Sequence, residues 1–78
     1  MLLKRDIITL AKAKTVEHAE IIPDTGGFCL AIFLADKKMQ VLHTDRKQKR
    51  IFKSLDAAYK MVSEIGLTEV TLKLDMAG

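Results

Sequence analysis

One cysteine, one proline, one tyrosine and no tryptophan are all that 78 residues hold of these types. A lone Cys29 excludes an internal disulfide and fits a reducing, cytoplasmic setting better than a secreted one. The soft ligands are limited to Cys29, His18 and His43, and no two have a metal-ligand spacing, so neither a structural metal nor a cofactor is expected. The longest apolar run, Phe28 to Ala35, is eight residues, against the roughly 18–20 needed to span a bilayer. The stretch Met1-Leu2-Leu3-Lys4-Arg5-Asp6 lacks the apolar core and cleavage site of a signal peptide. There is no low-complexity tract and no internal repeat.

What is present is one domain, residues 1–78, with 49% hydrophobic residues. A chain this short buries only about 60% of the surface its unfolded form exposes, so burial against a partner is an open route to extra stability.

Leu3, Ile7, Leu10 and Ala11 repeat at helical spacing, with Arg5 and Lys12 opposite, and predict an amphipathic helix over 3–13. Thr15 to Ile22 is rich in β-branched residues and reads as a strand; one longer helix to Glu20 is the alternative. Pro23-Asp24-Thr25-Gly26-Gly27 is a turn. Phe28 to Ala35 is a strand apolar on both faces: Phe28, Leu30, Ile32 and Leu34 on one, Cys29, Ala31, Phe33 and Ala35 on the other. Asp36-Lys37-Lys38 turns the chain into a returning strand, Met39 to Thr44. After the polar turn at 45–48, Lys49 to Phe52 is a short edge strand, where cations discourage unwanted pairing.

Ser54 is placed to cap a second helix, with Asp56 in its first turn, a stripe at Leu55, Ala58, Tyr59, Val62 and Ile65, and Gly66 to end it. Glu69 to Asp75 alternates as a last strand, with Val70, Leu72 and Leu74 inward. The order is α-β-β-β-β-α-β: an α+β fold, a mostly antiparallel sheet of four to five strands with two helices packed on it.

The net charge is only +3, but it is unevenly spread. Between Lys37 and Lys53 stand seven basic residues, Lys37, Lys38, Arg46, Lys47, Lys49, Arg50 and Lys53, against one acid, Asp45; the rest of the chain is net −3. Such a patch suits phosphates or an acidic partner, and equally a solvated face. Phe52 is the only aromatic within it, so contact with the DNA backbone fits better than stacking on unpaired bases.

Catalytic chemistry has little support. His43 and Asp45 could form a base–orienter pair, but no nucleophile or oxyanion site accompanies them. His18 reads as a half-exposed strand residue and Cys29 as a small hydrophobe. Met39, Met61 and Met76 read as core filler and tail. The chain is expected not to be an enzyme.

Three stretches carry a family resemblance: 23–31, Pro-Asp-Thr-Gly-Gly-Phe-Cys-Leu-Ala; 41–44, Val-Leu-His-Thr; and 50–58, Arg-Ile-Phe-Lys-Ser-Leu-Asp-Ala-Ala. Together, over roughly residues 20–74, the chain resembles small plasmid-encoded bacterial proteins of the ParC-like, partition-associated or replication-accessory kind. The resemblance implies an accessory role in plasmid maintenance with DNA or a DNA-bound partner as ligand, and assigns no role to any single residue. A meander followed by a helix also resembles double-stranded RNA-binding domains. Those carry lysines where this second helix begins Ser54-Leu55-Asp56, which argues against that reading.

Two function classes follow. In one, the basic segment binds nucleic acid or a nucleic-acid-bound partner. In the other, the chain is a protein-interaction module working through an apolar sheet face. The second face of the long strand, Cys29, Ala31 and Phe33 with Leu42 as a neighbour, is expected to form a homodimer interface. The alternative is that the first helix crosses to that face and covers it through Leu3, Ile7 and Leu10.

Overall fold

The computed structural model describes residues 2–73. Helix α1 spans Lys4–Lys12, strand β1 Val16–Asp24, β2 Gly27–Leu34, β3 Met39–Val41, helix α2 Leu55–Ile65 and β4 Thr71–Leu72. The class is α+β, as the sequence implies, with strands in the spatial order β3-β2-β1-β4.

Local chemistry accounts for the helix ends. The Asp6 carboxylate accepts from the Leu3 amide at 2.9 Å, tying down the first turn of α1. At its other end Lys14 takes φ +59°, while the Thr15 amide donates to the Leu10 carbonyl at 3.0 Å. That is a Schellman closure with lysine where glycine is usual. Ser54 caps α2 as expected, its hydroxyl accepting from the Ala57 amide at 3.2 Å, and Gly66 ends the helix at φ +94°.

Strands β1 and β2 form the backbone of the sheet. The tight turn at Thr25-Gly26 sets Asp24 opposite Gly27 and hence Ile22 opposite Cys29, Ile21 opposite Leu30 and Glu20 opposite Ala31; an irregularity lies between Val16 and His18. Pro23 and Asp24 are therefore strand residues, and the turn is shorter than the sequence suggests. Proline is tolerated because its partner position leaves its missing N–H outside the ladder.

The sheet is mostly antiparallel, as expected, with one parallel pair: β4 runs parallel to β1 through Glu20–Thr71 and Ile21–Leu72. A helix between two strands returns the chain in the direction it came from, which favours a parallel neighbour. Residues 49–52 are not a strand; only isolated bridges, His43–Lys49 and Phe28–Phe52, remain. The returning strand is likewise cut to Met39–Val41, with Leu42 bridging to Leu2 and His43 to Lys49. Of the last strand, Leu74 and Asp75 lie outside the described residues, as does Met76.

Both helices pack on one side of the sheet. Ile7 of α1 and Ala58, Val62 and Ile65 of α2 meet Ala19, Ile21, Leu30 and Ile32, with Leu2, Leu42 and Phe52 closing the edge. Ile7, Ile21, Leu30, Ile32 and Leu42 are the largest fully buried side chains, each worth about 1.5–3 kcal/mol on removal from water. Tyr59 was expected in this stripe but is 43% exposed, and Met39, expected as core filler, is 52% exposed. Tyr59 instead lines an open cleft between α2 and residues 67–71.

Candidate functional site

The basic segment is not one patch. Lys37 and Lys38 belong to the hairpin after Leu34, whereas Phe52 pairs with Phe28 at the opposite end of β2. Six residues of strand separate those ends, about 20 Å at roughly 3.3 Å per residue. Charge that is contiguous in sequence is thereby divided between two ends of the sheet.

Two of the seven cations are engaged. Lys37 bonds Glu17 at 2.9 Å and Lys49 bonds Asp24 at 2.7 Å. The Lys49 ammonium holds the Asp24 carboxyl below its ordinary value, and Asp24 in turn raises Lys49. The Arg50 guanidinium lies 5.3 Å from the centroid of the Phe52 ring. Arg46, Lys47, Arg50 and Lys53, all exposed, make no ion pair among the described residues.

The segment that carries these four is pinned at both ends. The Thr44 amide donates to the Gln48 carbonyl at 2.7 Å and the Lys47 amide to the Thr44 carbonyl at 3.0 Å, with Lys47 at φ +64°. The same pattern recurs at the first hairpin, where Leu34 and Lys38 close the loop and Lys37 takes φ +73°. Phe52, 3% exposed, anchors the far end through paired bonds with Phe28 of 2.7 and 2.8 Å. Every non-glycine residue with positive φ among those described is a lysine: Lys14, Lys37 and Lys47. Such a conformation costs a residue with a Cβ about 1–2 kcal/mol.

A cleft of about 490 Å³ adjoins the pinned loop, lined by Lys4, His43, Thr44, Arg46, Gln48 and Arg50 among others. Lys4 there is tied to Glu64 at 2.6 Å across the two helices. His43 makes no hydrogen bond to Asp45 as a catalytic pair would; its Nδ1 lies 2.7 Å from the Val41 carbonyl, an acceptor, so Nδ1 donates there. A larger cleft, about 610 Å³, lies between α2 and the 67–71 loop and is lined by His18, Tyr59, Val62 and Leu67. No group of three metal-capable side chains occurs among the described residues, and no helix there is long and apolar enough to cross a membrane.

The other candidate surface is the sheet face away from the helices. Cys29 and Ala31 are buried, at 5% and 0% exposure, yet neither belongs to the helix-side core. They face the opposite way, with half-buried Ile22 and Phe33 beside them and Val41 opposite Ala31. The expected Cys29–Ala31–Phe33 face therefore exists, but its hairpin neighbour is Val41; Leu42 points into the core. The first helix does not cross to cover it, because Ile7 is committed to the α2 side. Burial and the neighbouring Asp24 carboxylate push the Cys29 thiol up, away from reactive thiolate.

Charges frame this face in pairs. Glu20 lies 3.0 Å from His18 and 3.8 Å from Lys73. The Asp24–Lys49 pair closes one end, and the Glu17–Lys37 pair lies at the other. His18 also leans on Phe33, with ring centroids 5.5 Å apart.

Compared with protein-family models, curated proteins and solved structures, the chain matches none.

Proposed function

We propose that the protein binds the phosphate backbone of nucleic acid through the pinned loop at 44–53, as a non-enzymatic accessory. The observation that carries this reading is the set Arg46, Lys47, Arg50 and Lys53, exposed and free of ion pairs among the described residues, on a loop held at both ends. Lys47 adds weight, since glycine or asparagine would sit at its positive φ with less strain. Lys37, Lys38 and Lys49 leave the binding set: two are paired and two lie at the far end of the sheet. The adjoining cleft adds a donor from Gln48. Binding of this kind reads charge and spacing, not bases. The resemblance to ParC-like plasmid proteins supports DNA as the nucleic acid and plasmid maintenance as the setting.

Four phosphate contacts imply a slope of about −3.6 in log affinity against log salt, or roughly 150-fold weaker binding at 200 mM than at 50 mM. Fluorescence anisotropy with a labelled duplex measures it. The variant Arg46→Ala/Lys47→Ala/Arg50→Ala/Lys53→Ala should lose binding while keeping its circular-dichroism spectrum. A wild type that binds nothing at 20 mM salt overturns the proposal. A second reading, a protein-interaction module, is supported by the separate apolar cluster on the open sheet face, and a failure of nucleic-acid binding would favour it.

A further inference from the structure

We propose that the cleft beside the pinned loop holds a nucleotide by its terminal phosphate. The inference rests on the nucleic-acid reading for two of its cations, Arg46 and Arg50, and names what they hold there.

Charge sets the sign of the ligand. Three cations line the cleft, Lys4, Arg46 and Arg50, against one acid, Asp45. The two arginines make no ion pair among the described residues. Lys4 gives one bond to Glu64 at 2.6 Å and keeps further ammonium donors. A single carboxylate would answer only one of these cations. A phosphate monoester carries about two negative charges at neutral pH, on oxygens that match the planar fork of arginine.

The donors are held in place before a ligand arrives. The Arg50 amide donates to the Leu42 carbonyl at 2.9 Å, and its guanidinium lies 5.3 Å from the centroid of the Phe52 ring. Stacking of that kind leaves the N–H edge of the guanidinium open to an anion. Thr44 Oγ1 accepts from the Arg46 and Gln48 amides at 3.3 and 3.4 Å. Its own O–H makes no bond among the described residues and is left to donate. Donors fixed in this way cost less ordering on binding.

The floor sets the rest of the ligand. Leu42, 1% exposed, and half-buried Met61 also line the cleft. A bare phosphate would leave this apolar floor uncovered. The volume, about 490 Å³, falls in the range of small-molecule sites, about 300–1,000 Å³. A base can lie on the Met61 thioether while its phosphate meets the arginines. A base stacked inside a duplex cannot reach that floor. The ligand is therefore a free nucleotide or the unpaired end of a strand, and the two share the same phosphate chemistry.

Amide NMR on the full chain with adenosine monophosphate, up to about 10 mM, tests this. Shifts should concentrate at His43, Gln48, Arg50 and Met61. Adenosine should cause none, and inorganic phosphate should bind about tenfold more weakly. A labelled duplex with an unpaired tail separates the two sources. Ending the tail in phosphate rather than hydroxyl should tighten binding about tenfold if the strand end is the ligand, and change nothing if the free nucleotide is. Gln48→Glu and Met61→Glu should each weaken monophosphate binding about tenfold or more by placing a carboxylate beside the phosphate. Met61 packs against the core, so Gln48→Glu, on the exposed loop, decides should Met61→Glu fail to fold. A folded Gln48→Glu that binds as well as the wild type overturns the proposal. So does adenosine that binds as tightly as its monophosphate. So does a wild type whose cleft resonances ignore the monophosphate, even where the duplex still binds. Monophosphate binding without duplex binding would instead keep this site, assign it to the free nucleotide and overturn the reading of the loop as a backbone binder.

Discussion

Replacing Gly27 by alanine should be far more damaging than the same change one residue earlier. Gly27 has φ +154°, and a Cβ there would lie 2.1 Å from the Phe52 carbonyl oxygen and 2.9 Å from its carbon. Both atoms are backbone, so no rotamer change relieves the clash; the 50–53 segment must move away. Moving it breaks the two Phe28–Phe52 backbone bonds of 2.7 and 2.8 Å, worth about 1 kcal/mol each. It also begins to expose Phe52, which is 3% accessible and whose complete truncation would cost about 3–5 kcal/mol. Losing both bonds and half that burial comes to about 3–5 kcal/mol, a large share of the stability of any small domain. At Gly26, φ +86°, the nearest atom to a new Cβ is Ile51 Cγ2 at 4.0 Å. Only the conformational penalty of about 1–2 kcal/mol applies there, partly offset by a stiffer unfolded chain. Urea unfolding reads the difference. With a slope near 1 kcal/mol/M, Gly26→Ala should lower the midpoint by about 1 M, while Gly27→Ala should leave no cooperative transition or one shifted by about 3 M or more. Equal shifts for the two variants would show that Phe52 does not hold the position described.

Ser54→Ala should destabilise by about 1 kcal/mol through loss of the bond to the Ala57 amide; an unchanged denaturation midpoint would show that the cap contributes nothing. Lys37→Gly and Lys47→Gly should each be neutral to about 1 kcal/mol stabilising, as strain relief outweighs added unfolded-state freedom, and a clear loss of stability would show that these lysines make compensating contacts. Because Lys49 lowers the Asp24 carboxyl below its ordinary 3.8, the pair contributes stability that is fully present above that value and is lost as pH falls through the lower, folded-state value. Carboxyl NMR titration should therefore show the Asp24 midpoint rising in Lys49→Ala, with the Thr25 amide still holding it somewhat down, and no change in its midpoint would refute the pairing.

The sequence alone determined much of the local structure. The 3.6-residue stripe at Leu3, Ile7 and Leu10 marks α1, and Ser54 and Gly66 bracket α2, because caps and periodicity are written within a few residues. The two-faced strand at Phe28–Ala35 was legible for the same reason, and with it the set Cys29, Ala31 and Phe33. Even Ile22 was within reach: a two-residue turn at Thr25-Gly26 forces it opposite Cys29.

Other features came only with the tertiary structure. Both helices lie on one face because Ile7 is shared between the sheet and α2, a choice that no local pattern encodes. Between Lys38 and Arg46 the chain runs back along β3, antiparallel beside β2, so a run of charge continuous in sequence became two groups about 20 Å apart. Whether a lysine is free or paired depended on acids from β1, Glu17 and Asp24, that stand 20 and 25 residues away from Lys37 and Lys49. Val41 rather than Leu42 reached the open face because the alternation of β3 is counted from a turn whose residue at positive φ is a lysine, Lys37, not the glycine that usually announces one. Periodicity and capping act over one or two turns of chain and survive being read alone; pairing, coverage and the grouping of charge are long-range, and only the packed sheet decides them.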